Sequence, residues 1–178
     1  MLTAVERQIR GSVLNTWLKY VHHQWGTNGL TECLKSLSLR VGKFNDGQMY
    51  DYTLVEELTR WISSTKGMKY VRAGGTFHVT NLGVFAFVVS FLDIKTIAQR
   101  GAKTFRKLYS FGKAEYDMSQ PNRLVAHIYD VSTVEEICEV WIGVFEGMLK
   151  ITKKTGTVTK TDCRLKGAEC CVYVLDYE

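Results

Sequence analysis

TDCRLKGAECCVYVLDYE, residues Thr161–Glu178, closes the chain and decides its fold. Apolar residues fill both faces of a strand predicted at 169–176, and a turn containing Gly167 separates it from a strand predicted at 157–163. This pattern predicts a terminal hairpin that is covered on both sides. Gly167 is expected to adopt a positive φ in the turn, which glycine tolerates best.

A second hairpin precedes the first one. Polar and apolar residues alternate over 113–118, a turn follows around Pro121, and 123–129 predicts the return strand. The sequence Thr133-Val134-Glu135-Glu136 is a capping box and predicts the start of a long helix that runs to about Lys154. Gly143 and Gly147 lie within this helix although glycine lowers helix stability, which indicates close approach of another backbone or room for a ligand.

The spacing of apolar residues predicts that the first half of the chain is helical. Apolar residues at helical spacing predict four helices, at 13–26, 28–38, 53–66 and 94–109. A capping box at Thr53 opens the third helix, and Asp93 can cap the fourth. Residues 40–52 predict a loop, and Gly74-Gly75 predicts a loop or a break.

These elements predict an α+β fold. An N-terminal helical layer packs on a four-stranded antiparallel sheet, and a long helix lies between the two C-terminal hairpins. The length of 178 residues suits a single domain, 1–178, with a mostly helical half at 1–110 and a ββαββ half at 111–178.

Composition narrows the classes of function. The chain is 46% hydrophobic and 23% charged, with a net charge of +5 and five cysteines. No run is apolar and long enough for a membrane span, and no leader pattern opens the chain, so we expect a cytoplasmic protein with reduced thiols. Basic residues gather between Asp93 and Glu115, but no recognition motif accompanies them. We therefore interpret them as a solvated helix face and do not expect nucleic acid as a partner.

The second half resembles a known family. Residues 138–147 (CEVWIGVFEG), with Cys163, Gly167 and Cys171, are similar to the 4-vinyl reductase domain of small hydrocarbon-binding proteins and phenol-responsive activators.

The first half resembles another family. Residues 11–19 (GSVLNTWLK), Gly26 and 34–37 (LKSL) are similar to the opening of the haem nitric-oxide/oxygen binding family. Both families belong to one ligand-binding superfamily, together with a small subunit of the TRAPP vesicle-tethering complex. The resemblance implies a ligand sensor.

The superfamily also implies a homodimer. Trp17, Trp25 and Trp61 support that prediction, because they are many large apolar groups for a short helical layer.

The resemblance also implies a zinc site. Cys138, Cys163 and Cys171 match three zinc-binding cysteines of the phenol sensors, where a glutamate completes the set. Lys160 stands at the position of that glutamate, and a lysine cannot supply an anionic oxygen. The alternative is that the cysteines are small buried hydrophobic residues, and we expect that zinc is not required for folding.

Haem is a further alternative. His78 is the best placed of the four histidines, between the helical half and the apolar run. The Tyr-x-Ser-x-Arg signature that the haem family uses for the propionates does not occur in the sequence. A hydrogen-bonded core histidine is therefore the competing interpretation, and no cofactor is expected.

No motif for catalysis occurs in the sequence, so we predict a protein that is not an enzyme. A helical layer over a sheet can enclose an apolar pocket. The candidate lining residues are His78, Phe85, Phe87, Phe91, Tyr109, Tyr116, Trp141 and Phe145. His78 and Tyr109 could orient the polar end of a ligand. The competing interpretation of the aromatic residues is a filled core.

The predicted function is a non-catalytic binding or sensor module for a small hydrophobic ligand, which signals through a partner protein. The alternatives are a sensor that depends on haem or zinc, and a structural interaction subunit similar to TRAPP.

Overall fold

The computed structural model describes residues 6–39, 42–81 and 92–178. In chain order the elements are β1 (Gln8–Arg10), α1 (Gly11–Ser36), β2 (Met49–Asp51), α2 (Thr53–Lys66), α3 (Met68–Thr80), α4 (Ile94–Leu108), β3 (Lys113–Asp117), β4 (Arg123–Tyr129), α5 (Glu135–Ile151), β5 (Gly156–Asp162), a 3₁₀ turn (Arg164–Lys166) and β6 (Cys171–Tyr177). The predicted α+β class and the ββαββ order of the second half are confirmed.

The larger sheet has four antiparallel strands in the order β3-β4-β6-β5. Every second residue of β4 points into the core, and Leu124, Ala126 and Ile128 are fully buried. Ala126 pairs with Tyr173 and Ile128 pairs with Cys171 on β6, so both strands direct their apolar sets to one face. The helices cover this face.

Helices α3 and α5 cross at glycines. A Cβ added to Gly75 would lie 2.1 Å from the carbonyl oxygen of Val140, and one added to Gly143 would lie 1.9 Å from that of Arg72. The predicted break at Gly74-Gly75 is therefore wrong, because α3 continues through it and the bare backbone makes the crossing possible. The close approach predicted at Gly143 is confirmed.

The two predicted capping boxes do not form. Helix α2 begins after Tyr52 and helix α5 begins after Val134, and neither cap uses a side-chain hydrogen bond. Instead, the Thr133 hydroxyl donates to the carboxylate of Glu56, which ties α2 to the start of α5. A tertiary contact has replaced two local ones.

Two other predictions about helix ends are confirmed. Helix α1 is broken at Gly26, whose φ of 65° and ψ of −165° are not helical. Asp93 caps α4, since its Oδ1 accepts a hydrogen bond of 2.6 Å from the Thr96 amide. These hydrogen bonds from Thr96 hold the pKa of the Asp93 carboxyl below its usual range.

The N-terminal strand β1 joins the two halves of the chain. It pairs with β2, which falls in the predicted loop 40–52, and Ile9 also bridges to Tyr109. Gln8 exchanges bonds with Ser110: its amide donates to the Ser110 hydroxyl at 2.9 Å, and its carbonyl accepts from the Ser110 amide at 3.0 Å. The segment therefore holds the end of α4 against the helical layer.

The tryptophans of the helical layer belong to the core. Trp17 is 1% exposed and Trp61 is 9% exposed, and the half-buried Trp25 meets the Trp61 ring edge-on at 6.1 Å. These residues supply no broad apolar surface, so the apolar argument for a dimer fails. The homodimer itself stays a prediction.

None of the helices in the described ranges combines the length and the apolar character that crossing a membrane requires.

Candidate functional site

An apolar cavity of about 440 Å³ lies among the helices of the protein. Helices α1 and α3 supply one wall, and α4 and α5 supply another. The residues with polar groups in its lining are Ser12, Thr16, Tyr52, His78, Arg100, Thr104, Tyr109 and Tyr116. A space of this size and character is typical of a small-molecule site.

The structure brings together half of the predicted pocket residues. The four that line the cavity are His78, Tyr109, Tyr116 and Trp141. Phe145 lies behind Trp141, with its ring centroid 5.9 Å from that of Trp141 and 5.3 Å from that of Tyr173, and it is fully buried. Phe85, Phe87 and Phe91 lie outside the described residues. Whether any of these residues binds a ligand stays a prediction.

Sequence reasoning missed the contribution of α1 to this site. Val13, Thr16 and Trp17 line the cavity from that helix. Their helical spacing identifies a buried face, but the same spacing serves a residue that packs against protein and one that borders a void. Arg100 and Thr104, on α4, were also missed as lining residues.

His78 is the most unusual group in the cavity. Both ring nitrogens are buried, and neither has a hydrogen-bond partner in the described part of the chain. The ring meets that of Trp17 edge-on at 4.8 Å. Desolvation by burial lowers the pKa of His78 to about 4, so the imidazole is neutral at pH 7.

An unpartnered buried imidazole has an energetic cost. Burying a polar group without a hydrogen bond costs about 1–3 kcal/mol, which most proteins avoid. A ligand atom that hydrogen-bonds to His78, or a metal that its nitrogen coordinates, would recover part of this cost. The ring is thus prepared for a partner that the chain does not supply in its described residues.

Two tyrosines add neutral hydroxyl groups. Tyr109 stacks on Phe105, with ring centroids 4.4 Å apart and an angle of 13° between the planes. Burial raises the pKa of Tyr109 well above its usual value and that of Tyr116 to about 12. Both phenols therefore stay protonated and can donate hydrogen bonds to a ligand.

The structure brings the three predicted cysteines together. The Sγ atom of Cys138 lies 3.8 Å from that of Cys163 and 4.0 Å from that of Cys171, and all three are buried. A tetrahedral metal with bonds of about 2.3 Å to sulfur holds its sulfurs about 3.8 Å apart. All three sulfurs lie within 4.8 Å of one another, which is close to the spacing of metal ligands, and metal binding stays a prediction.

Lys160 closes the fourth side of the cluster. Its Nζ lies 3.7 Å from the Cys163 sulfur, as expected for a residue at the position of the glutamate that completes the zinc site of the phenol sensors. The thiol of Cys138 and the Arg164 amide both donate toward the Cys171 sulfur, and these hydrogen bonds hold the pKa of Cys171 below its usual value. The ammonium group of Lys160 therefore lies on the side of the cluster where a metal would need its fourth ligand.

The cavity has no arrangement for acid–base or nucleophilic catalysis in its described lining. Neither a carboxylate nor a thiol borders it, and the Thr16 hydroxyl already donates to the Ser12 carbonyl at 2.9 Å. The described lining therefore offers His78 neither a carboxylate nor a thiol as a neighbour.

Comparison with known proteins finds similar folds. No family model matches the sequence, and no curated protein is significantly similar to it. An H-NOX protein from S. oneidensis in the Fe(II)NO ligation state has a TM-score of 0.77 and 15% identity, over 96% of this chain and 99% of the other. An oxygen-binding H-NOX domain related to soluble guanylate cyclases, in its oxygen complex, has a TM-score of 0.75 and 13% identity, over 96% and 95%. A mutant H-NOX protein from K. algicida, unliganded in the Fe(II) state, has a TM-score of 0.74 and 9% identity, over 96% and 97%.

These similarities settle which of the two predicted resemblances describes the fold. The chain has the fold of H-NOX domains, the haem nitric-oxide/oxygen binding family, over nearly its whole length. The 4-vinyl reductase and TRAPP-like resemblances find no support in the comparisons.

Proposed function

We propose that the chain is a sensor module that binds a small hydrophobic ligand in the cavity and catalyses no reaction. The observation that carries the proposal is His78, a buried imidazole that has no hydrogen-bond partner among the described residues, in an apolar cavity of about 440 Å³. The apolar walls favour a hydrophobic ligand body, and His78 selects a ligand with an atom that can hydrogen-bond to it or coordinate it. Occupancy of the cavity would be reported to a partner protein, in the cytoplasm.

Haem is the ligand that His78 itself favours. A neutral imidazole with a free nitrogen is a common axial ligand of haem iron, and the low pKa of His78 keeps this ring deprotonated across the physiological range. Bound haem would supply an iron atom that takes up a diatomic gas. Arg100 is the cationic side chain that the described lining offers to a propionate. The donor set therefore fits haem at the axial position and at one of its two carboxylates.

The neighbours' own ligands support this candidate. The solved structures with the same fold include H-NOX proteins with Fe(II)NO and with oxygen. Their sequence identities to this chain are 15% and 13%, so the similarity concerns the fold alone. The case for haem therefore rests on His78.

The proposal is tested on the purified protein with two probes. The first is haemin, reduced after addition, with the Soret band as the readout. The second is N-phenyl-1-naphthylamine, a neutral dye whose fluorescence rises in an apolar site. We expect the dye to bind the unloaded protein at one site and a haem complex to displace it.

Matched variants separate the two candidates. His78→Ala should abolish the axial haem spectrum and keep dye binding, whereas His127→Ala, on the outer face of the sheet, should change neither. If the dye binds but haemin does not compete, the ligand is an iron-free hydrophobic molecule. If neither probe binds, the cavity is not a ligand site and the proposal is wrong.

A further inference from the structure

We infer that the ligand carries a negative charge, and that Arg100 at the rim of the cavity selects a hydrophobic carboxylic acid over its neutral analogues. This inference rests on the proposed function, since it names the class of ligand that the same cavity would take. The observation behind it is the charge of the cavity lining.

Arg100 belongs to the face of α4 that borders the cavity. Its neighbours on that face, Ile97, Gly101 and Thr104, also line the space and follow helical spacing. Arg100 itself is exposed, so its aliphatic stem can lie along the apolar wall while the guanidinium group stays at the solvent edge. This is the position of a rim charge rather than of a buried one.

Hydroxyl donors lie close to this position. Thr104 follows Arg100 by one turn on the same helix face. The Tyr116 hydroxyl would lie 3.4 Å from a Cβ placed on Gly101, so the missing side chain leaves this hydroxyl access to the α4 wall. A carboxylate at the rim would meet a guanidinium fork and neutral hydroxyl donors, which together suit its two oxygens.

The described lining of the cavity contains no carboxylate that would compete for Arg100. The described lining has one guanidinium group and no Asp or Glu, and α4 carries no acidic residue from Ile94 to Leu108. Arg100 forms no ion pair within the ranges that the structure covers. A ligand carboxylate would therefore be its partner, without first displacing an acidic side chain.

The apolar walls exclude a small polar anion as the preferred ligand. An inorganic phosphate or acetate would satisfy Arg100 and leave the apolar surface of the cavity uncovered. An amphipathic monocarboxylic acid satisfies both requirements, because its hydrocarbon body fills the cavity and its head group meets the rim.

The test compares decanoic acid with decan-1-ol, which share a ten-carbon chain and differ in charge. Each displaces N-phenyl-1-naphthylamine from the purified chain at pH 7.5 and low salt. The variant is Arg100→Gln, and the matched control is Lys103→Gln, an exposed cation on the same helix that does not line the cavity. A charge-assisted hydrogen bond contributes enough for about a tenfold change in affinity.

We expect Arg100→Gln to weaken decanoic acid about tenfold and to leave decan-1-ol unchanged, and Lys103→Gln to alter neither. Arg100→Lys should restore part of the preference, and raised salt should reduce it in the parent protein. The inference would be wrong if Arg100→Gln weakened the binding of acid and alcohol equally, or if it left the affinity for the acid unchanged. In either case, dye binding to the parent protein would still support the proposed function. Failure of the dye to bind the parent protein would overturn both.

Discussion

Replacing His78 with leucine should remove a defined part of the acid sensitivity of this fold. Burial lowers the pKa of His78 from 6.5 to about 4. Between these two pH values the imidazole is protonated in the unfolded chain and neutral in the folded chain. The stability that this group supports is complete above pH 6.5 and is lost as the pH falls toward 4. The linkage has this sign because the folded-state pKa lies below the unfolded one.

The size of the effect follows from the two pKa values. A difference from 6.5 to about 4, at about 1.4 kcal/mol per unit, amounts to about 3 kcal/mol once the pH is below both values. About 1.4 kcal/mol of that is already lost at pH 5.5. His78→Leu has no such term, because leucine does not titrate and fits an apolar site.

Urea unfolding of both proteins at pH 7.5, 6.5, 5.5 and 4.5 measures the difference. At pH 7.5 the variant should be at least as stable as the parent, since it removes an unsatisfied polar group. At pH 5.5 its stability relative to the parent should have risen by about 1.4 kcal/mol. Parallel profiles for the parent and His78→Leu would show that water reaches the ring, and the reasoning about an unpartnered imidazole would then be wrong.

The remaining predictions concern the helix crossing, the final turn and the cysteines. Gly143→Ala should destabilise the chain by about 3 kcal/mol, because its Cβ would meet the Arg72 carbonyl oxygen, and an unchanged urea midpoint would contradict the crossing. Gly167→Ala should cost about 1 kcal/mol in the same melts through backbone strain alone, since φ is 93° and open space surrounds the site. Removing zinc with a strong chelator should leave the fold intact, because Lys160 takes the fourth side of the cluster; unfolding on chelation, followed by circular dichroism, would reverse that view. Cys171→Ala should cost about 1 kcal/mol from lost volume, equally with and without added zinc.

Sequence patterns were sufficient for the second half of the fold. Alternation over 123–129 places Leu124, Ala126 and Ile128 on one face, and the structure buries all three. A strand with one buried face leaves this signal in its own residues, whatever it packs against. The positive φ of Gly167 was predictable for the same reason, since a tight turn makes a local demand.

Features that depend on distant partners were not predictable. Gly74-Gly75 has low helix propensity, and only the folded chain shows why α3 continues through it: Gly75 lies against α5, and Gly74 lies against the Trp17 ring. Thr133 was expected to cap its own helix but bonds to Glu56, which lies 77 residues away. Strands of three residues, such as β1 and β2, are too short to show a period.

The candidate site divides in the same way. His78 could be proposed from its place between the helical half and the apolar run, but only the folded chain shows that no described residue hydrogen-bonds to its ring. Trp17 was read from the sequence as support for a dimer, but it packs in the core and also borders the cavity. Periodicity reports that a face is buried and is silent on whether the space beyond it is filled.

The strand Gln8–Arg10 has a practical consequence for how this protein can be handled. Its backbone reaches Ser110, 102 residues further along the chain, and Arg7 also donates to the carbonyl of Asp130 in the second half. Residues 7–10 thus act as a clasp, because they connect the first helices to segments at Ser110 and Asp130 that are distant in the sequence. A fusion partner or affinity tag that crowds residues 7–10 would loosen the protein far from the point of attachment. Fragments separated near residue 110 would each retain one side of a broken clasp, so the two halves should be produced together or not at all.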